Sequence, residues 1–169
     1  MNKANISTYL DYNATVPTLG IVKKSMITFM DLGPINASSV HFYGRKGKNV
    51  IEHAKTNIAE LINTKSENVI FTSSATESIN LLFSNFNNII VSSIEHLAVL
   101  SASKSDQIIS VNKNGIIDID YLEALLKKNS KNKKNILVSV MWVNNETGVV
   151  QPIEDIVKLS KNYGCLVHC

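Results

Sequence analysis

Three polar clusters carry the residue types that could do chemistry: Ser73 to Glu77, Glu95 with His96, and Asn144 to Glu146. Each directly follows a run of apolar residues. In the first, Ser74 stands three residues before Glu77, the S-x-x-E spacing of a helix capping box, and Ile79, Leu82, Phe83 and Phe86 behind it fall at i, i+3, i+4 and i+7. The amides of Ala75 and Thr76 then lie in a first turn, where backbone N–H groups lack intrahelical acceptors and the positive end of the helix dipole faces outward. A phosphate would fit there. The same pattern also describes a capped helix with no ligand, and Glu77 adds a carboxylate to that turn, so the local residues leave both readings open. His96 on its own reads as a loop histidine.

The remaining candidates are weaker. Cys165 and Cys169 lie four apart beside His168, and two thiols with one imidazole do not complete a four-ligand zinc site, so buried structural thiols are expected and no metal site. His41 sits in an Asn- and Ser-rich stretch, INASSVHFYG, that reads as a surface loop.

These clusters need elements to hold them. Tyr9 to Pro17 reads as an extended lead-in, and residues 1–18 are set apart on that basis from 19–169. Gly20 to Leu32 carries Val22, Met26, Phe29 and Met30 on one helical face. Arg45 to Ile62 repeats the pattern with Ile51, Ala54, Ile58, Leu61 and Ile62. Val69 to Phe71, Ile89 to Ser92 and Gln107 to Val111 have the composition and length of strands. Asn112 to Gly115 reads as a turn. Asp120 and Glu123 cap a helix through Leu122, Leu125 and Leu126.

Ile136 to Val143 is apolar at every place but Ser139, the mark of a strand covered on both faces in a parallel sheet. Pro152 opens a helix through Ile156 that closes at Gly164, and Cys165 begins another strand. Strand and helix alternate from Val69 onward. The fold class is therefore α/β, a largely parallel sheet with helices on both faces, and the chain ends inside a strand as the first part of a larger domain. Ligands of open parallel sheets bind outside the carboxyl ends of the strands. The three clusters, and His168, all fall at such ends.

Composition narrows the function. With 169 residues, 44% hydrophobic and 18% charged, the chain can bury one real core. The net charge of +3 comes from five lysines within the segment KKNSKNKKN at 127–135, and the remainder is net negative. That segment lacks the distribution and aromatic partners of a nucleic-acid surface and reads as a solvated loop. No apolar run has the length of a membrane span and the N-terminus lacks a secretory pattern, which makes the cytoplasm the expected location. No G-x-G-x-x-G follows a strand, so a dinucleotide-binding domain is excluded.

Taken together and in order, YLDYNAT, N-x-S-S-x-H at Asn36 to His41, VIFTSSATESIN, IEHLAVL, NGIIDIDYLEALL and VSVMWVNNETGVVQPI resemble the N-terminal part of the cysteine desulfurases of the NifS/IscS type. These belong to the class V aminotransferase family of fold-type I pyridoxal phosphate enzymes. The resemblance spans nearly the whole chain and implies a partial large domain over 19–169. It implies pyridoxal 5'-phosphate as cofactor, with Ala75 and Thr76 on its phosphate, His96 stacked on its ring, and Asn145 hydrogen-bonded to its phenolic oxygen. It places YLDYNAT and Asn36 to His41 near the substrate and a homodimer interface.

Three departures accompany the match. Ser74 stands where the family has glycine, Trp142 where a histidine is usual, and Cys169 just before the aspartate that pairs with the pyridinium nitrogen. The lysine that anchors the cofactor, the serine and histidine that help hold its phosphate, the arginine for the substrate carboxylate and the nucleophilic cysteine would all come later. No residue here takes a catalytic role.

The family reaction removes sulfur from L-cysteine, leaving alanine and an enzyme persulfide that feeds iron–sulfur cluster assembly or tRNA thiolation. The expectation is a desulfurase-like chain that is inactive alone, binds the cofactor weakly or not at all, and works only with a complementary second chain or an iron–sulfur scaffold partner. A catalytically inactive remnant or partner-binding fragment is the alternative. A selenocysteine lyase or an aminotransferase of the same class stays open as well.

Overall fold

The computed structural model describes residues 8–130 and 135–169, and the chain divides into two compact units at Phe71 and Thr72. Residues 1–7 of the expected lead-in, and Lys131, Lys133 and Lys134 of the lysine segment, lie outside the described residues.

The first unit contains helix α1 (Gly20–Met30), helix α2 (Phe42–Leu61) and a 3₁₀ turn at Ser66–Asn68. No residue of α1 is buried, so the expected apolar face of Val22, Met26, Phe29 and Met30 is exposed. Helix α2 starts three residues earlier than the periodicity predicts because His41 is its N-cap, its Nδ1 accepting the Gly44 amide at 3.4 Å. The buried residues of α2 are Gly44, Gly47 and Ala59 rather than its isoleucines. A Cβ on Gly44 would run into the Ser39 carbonyl, and one on Gly47 into the Ile35 side chain. These two glycines let the segment 35–39 lie directly on the helix backbone.

Val69 to Phe71 is not a strand. Val69 is extended (φ −97°, ψ 119°), but the segment has no ladder partner among the described residues, and Ile70 and Phe71 are exposed. Strand propensity sets the backbone angles, and only a neighbour makes a strand.

The second unit holds α3 (Ala75–Phe83), β1 (Asn88–Ser92), α4 (Leu97–Ser103), β2 (Ile108–Ile109), α5 (Ile119–Ser130), β3 (Ile136–Ser139), α6 (Ile153–Asn162) and β4 (Leu166–His168). The four strands form one parallel sheet in the order β2-β1-β3-β4, with Ile90 opposite Val138 and Val138 opposite Val167. All four residues of β3 are buried, Ser139 included, as expected of a largely apolar strand inside a covered parallel sheet.

Side-chain alternation assigns the two faces. Ile90, Ile109, Ile136 and Val138 pack with Leu122 and Leu126 of α5, Ile156 of α6 and Cys165. Ile89, Val91 and Leu137 pack on the other face with Ile79 and Phe83 of α3 and Val99 of α4. The fold class is thus the α/β layering the sequence predicts.

Local details differ from expectation in three places. The cap of α5 is Asp118, whose Oδ1 accepts the Tyr121 amide at 3.0 Å, two residues ahead of the expected Asp120. Lys127 and Lys128 belong to α5 rather than to a loop, with Lys127 Nζ 3.0 Å from Glu123. Cys165 is buried as expected, but Cys169 is exposed; both are free thiols. Gly164 closes α6 with φ +69°, where glycine's lack of a Cβ removes the steric penalty.

At the amino-terminal end of the sheet three carboxamides form a closed ring. Asn88 donates to Asn129 (2.9 Å), Asn129 to Gln107 (2.5 Å) and Gln107 back to Asn88 (2.5 Å). No helix of the described residues is long and apolar enough to cross a membrane.

Candidate functional site at the strand carboxyl ends

All four predicted site residues lie in the second unit. His96 follows β1, Asn145 follows β3, and Ala75 and Thr76 open α3. Since β1 and β3 are adjacent, the turns that carry His96 and Asn145 leave the same end of neighbouring strands.

The start of α3 is built by three side chains. Ser74 is the N-cap, its Oγ accepting the Glu77 amide at 3.2 Å. Glu77 Oε2 reaches back past Ser74 to accept from the amide (2.7 Å) and hydroxyl (2.5 Å) of Ser73. Those bonds, the hydroxyl one first, hold the Glu77 carboxyl below its usual range. Thr72 Oγ1 lies 2.6 Å from Ser78 Oγ and donates to the Ser74 carbonyl at 3.0 Å, bracing the turn from the other side.

This arrangement consumes the Ser73 and Glu77 amides and leaves those of Ala75 and Thr76 with no hydrogen-bond acceptor among the described residues. Both residues are exposed. Two unmet amides at the positive end of a nine-residue helix are a donor set for a phosphate oxygen or another anion. Glu77, the residue that counted against an anion, has its charge engaged by Ser73.

His96 caps α4, its Nδ1 accepting the Ala98 amide at 3.1 Å. With Nδ1 engaged, Nε2 is the ring nitrogen of this exposed residue that is left for a ligand. Thr76, Asn80, His96, Leu97 and Ala98 line one cleft of about 390 Å³ between α3 and α4. Two of the predicted residues therefore share a cleft.

Asn145 is exposed in the turn 144–148, and its neighbour Asn144 builds that turn. Asn144 Oδ1 accepts from the amides of Glu146 (3.0 Å) and Thr147 (2.9 Å) and from Thr147 Oγ1 (3.1 Å), while its backbone carbonyl accepts the Gly148 amide at 2.9 Å. Trp142 is exposed beside it.

Two clustered residues have surroundings that composition could not show. Glu95 is buried, and burial pushes its carboxyl up to about 7 even though its Oε1 accepts the Met141 amide at 2.6 Å. His168 ends β4 at the carboxyl rim of the sheet, but its ring lies back over the sheet face against Phe83 of α3. Its Nδ1 lies 2.8 Å from Ser139 Oγ, its ring meets Phe83 edge-on at 5.7 Å, and burial holds its pKa below the usual histidine range. Among the described residues no group of acidic, histidine and cysteine side chains could hold a metal ion.

Comparison with known proteins gives the family. The aminotransferase class-V family model matches residues 8–169. A cysteine desulfurase IscS of Ehrlichia chaffeensis is 38% identical over 97% of this chain and 42% of the relative, and a cysteine desulfurase IscS 1 of Archaeoglobus fulgidus is 37% identical over 89% of this chain and 42% of the relative. The solved NifS-like protein from Rickettsia africae superposes with a TM-score of 0.86 at 38% identity, covering 95% of this chain and 46% of that one. The chain spans about two fifths of the length of the curated relatives it matches. With its parallel α/β sheet and its match from residue 8 to residue 169, the chain belongs to the class-V aminotransferase family.

Proposed function

We propose that this chain forms one wall of a pyridoxal 5'-phosphate site of the cysteine desulfurase type. The observation that supports it most directly is the pair of unmet amides at Ala75 and Thr76, with Thr76 on the same cleft as His96. The residues present fit the group: two N–H donors for a phosphate, an imidazole exposed at the cleft, and the Asn145 carboxamide at the end of the neighbouring strand for a phenolic oxygen. When bound, the cofactor supplies an electron sink for a carbanion next to its ring.

Each residue then has a limited task. Ala75 and Thr76 bind and orient through their backbone, so side-chain changes at these positions act by steric means alone. His96, oriented by the Ala98 amide on its Nδ1, would stack its ring on the cofactor, with Nε2 as the ring atom left to hold or move a proton. Asn145 offers its carboxamide as donor or acceptor, and Asn144 shapes the turn that presents it. No described residue is assigned as nucleophile or as covalent anchor.

By this reading residues 19–169 form part of a large domain, and desulfuration of L-cysteine, in the cytoplasm and with iron–sulfur cluster assembly or tRNA thiolation downstream, requires further residues. A homodimer and a complementary second chain are the proposed associations. The name cysteine desulfurase carried by the relatives supports the substrate class.

Titration of the isolated chain with pyridoxal phosphate, followed by cofactor absorbance and tryptophan fluorescence, tests the proposal. Weak binding that inorganic phosphate displaces is expected. Binding indifferent to phosphate, or a covalent adduct stable to gel filtration, overturns it. Ser74 in place of the family's glycine favours a second reading, an inactive fragment. Under it, mixing with a complementary chain, cofactor and cysteine yields neither alanine nor sulfide.

A further inference from the structure

We infer that Glu95 and Asn144 are positioning residues that lock the turn carrying His96 onto the turn carrying Asn145. Two hydrogen bonds join these turns, both donated from the Asn145 side and accepted on the His96 side. The Met141 amide donates to Glu95 Oε1 at 2.6 Å, across 46 residues of sequence, and Asn144 Nδ2 donates to the Ile94 carbonyl at 3.0 Å, across 50.

Position in the chain gives these bonds their consequence. Ile94 and Glu95 immediately precede His96, and Met141 and Asn144 bracket the approach to Asn145. A single bond would leave one turn free to swivel about it. Two bonds at separate points fix both the distance and the rotation between the turns. Asn144 also spends its Oδ1 on Glu146 and Thr147, so the side chain that ties the turns together is the one that gives the second turn its shape.

The carboxylate itself points the same way. Glu95 is 8% exposed, and Met141 N–H is the hydrogen-bond donor the structure gives its carboxyl. Burying a carboxylate is costly, and an apolar side chain of equal volume would fill the space without that cost. What an apolar side chain cannot do is accept a backbone amide from the next strand's turn. The functional sense of the lock rests on the cofactor-wall reading above, whereas the coupling of the two turns does not.

The test uses the whole chain, isotopically labelled, with amide exchange and resonance positions read residue by residue. Glu95→Met keeps the volume and removes the acceptor; Glu95→Gln keeps a carbonyl acceptor. In E95M the Met141 amide should exchange at least about 10-fold faster, and resonances of Ala98, which reports His96 Nδ1, and of Glu146 and Thr147 should shift together. E95Q should restore all of them. Asn144→Ser should reach across in the other direction and move Ala98. Wild-type behaviour in E95M, or changes confined to the turn that carries each substitution, overturns the inference. Pyridoxal phosphate titrated into the wild-type chain is read separately: absence of binding overturns the cofactor reading, while the exchange result still decides for or against the lock.

Discussion

Ser139 and His168 face each other across adjacent parallel strands with Oγ and Nδ1 2.8 Å apart, a polar pair bridging β3 and β4 in which Ser139 is buried and His168 half-buried. His168 is kept neutral by that burial, its folded pKa lying below the unfolded value. A group of this kind binds more protons when unfolded, so its contribution to stability is complete above the unfolded pKa of about 6.5 and is lost as pH falls from there toward the folded value. Replacing His168 with Gln should remove this acid-sensitive component, so that the change in urea midpoint from pH 7 to pH 5 lies further in the stabilising direction than in wild type.

Glu95 works in the opposite direction in the same window. Its carboxyl is raised from 4.5 to about 7, so the folded state holds the proton more tightly and stability falls as pH rises from about 4.5 to 7. Cys169 is the nearby titrating group on which the Glu95 charge acts, adding to the upward push of burial on that thiol. The two slopes oppose one another in the wild-type chain. Glu95→Gln should abolish the falling component, worth about 3 kcal/mol across the window, and leave a profile that rises with pH. Denaturant melts at half-unit steps of pH would show a falling profile in E95Q if this assignment were wrong.

The N-terminal half of α2 should be unusually intolerant of small additions. Gly44→Ala puts a methyl group into the Ser39 carbonyl and Gly47→Ala one into Ile35. A rise in helix propensity would stabilise by under about 1 kcal/mol, and overpacking against backbone costs about 1–3 kcal/mol, so a net loss is expected, larger at Gly44 where the obstacle is main chain. Thermal melts of the two variants against wild type give the order.

Two aspartates near the start of α5 should separate cleanly. Asp118→Ala removes the bond to the Tyr121 amide and should cost about 1 kcal/mol. Asp120→Ala should stay within about 0.5 kcal/mol, as a first-turn acid acting through the helix dipole alone. Equal losses would contradict the cap assignment.

That last contrast shows what a sequence discloses and why. Features set by neighbours along the chain were legible: the Ser74 and Glu77 cap, the closing Gly164, and the largely apolar, fully buried β3. Asp120 was misassigned because the D-x-x-E spacing to Glu123 resembles a capping box, whereas the true cap precedes an unremarkable D-x-x-Y. His41 was missed as a cap because histidine is a rare one.

The failures at Val69 to Phe71 and at Glu95 have a different source. A ladder bond or a buried carboxylate depends on residues far away in the chain, and neither Met141 nor an absent strand partner leaves a mark on the local pattern. For the candidate site, sequence indicated which end of the sheet to look at. It did not indicate that the His168 ring lies back over the sheet face or that Asn144 reaches the preceding turn.

The carboxamide ring of Asn88, Asn129 and Gln107 has a handed circulation: each group gives its N–H to the next and takes one from the last. Reversing any one of the three would set oxygen against oxygen and nitrogen against nitrogen at its two contacts, so the three must turn over together or stay as they are. The amino-terminal rim of the sheet therefore behaves as an all-or-none fastener that carries no charge and responds to no proton. Every pH-sensitive adjustment of the sheet described above is confined to the opposite rim, where Glu95 and His168 sit.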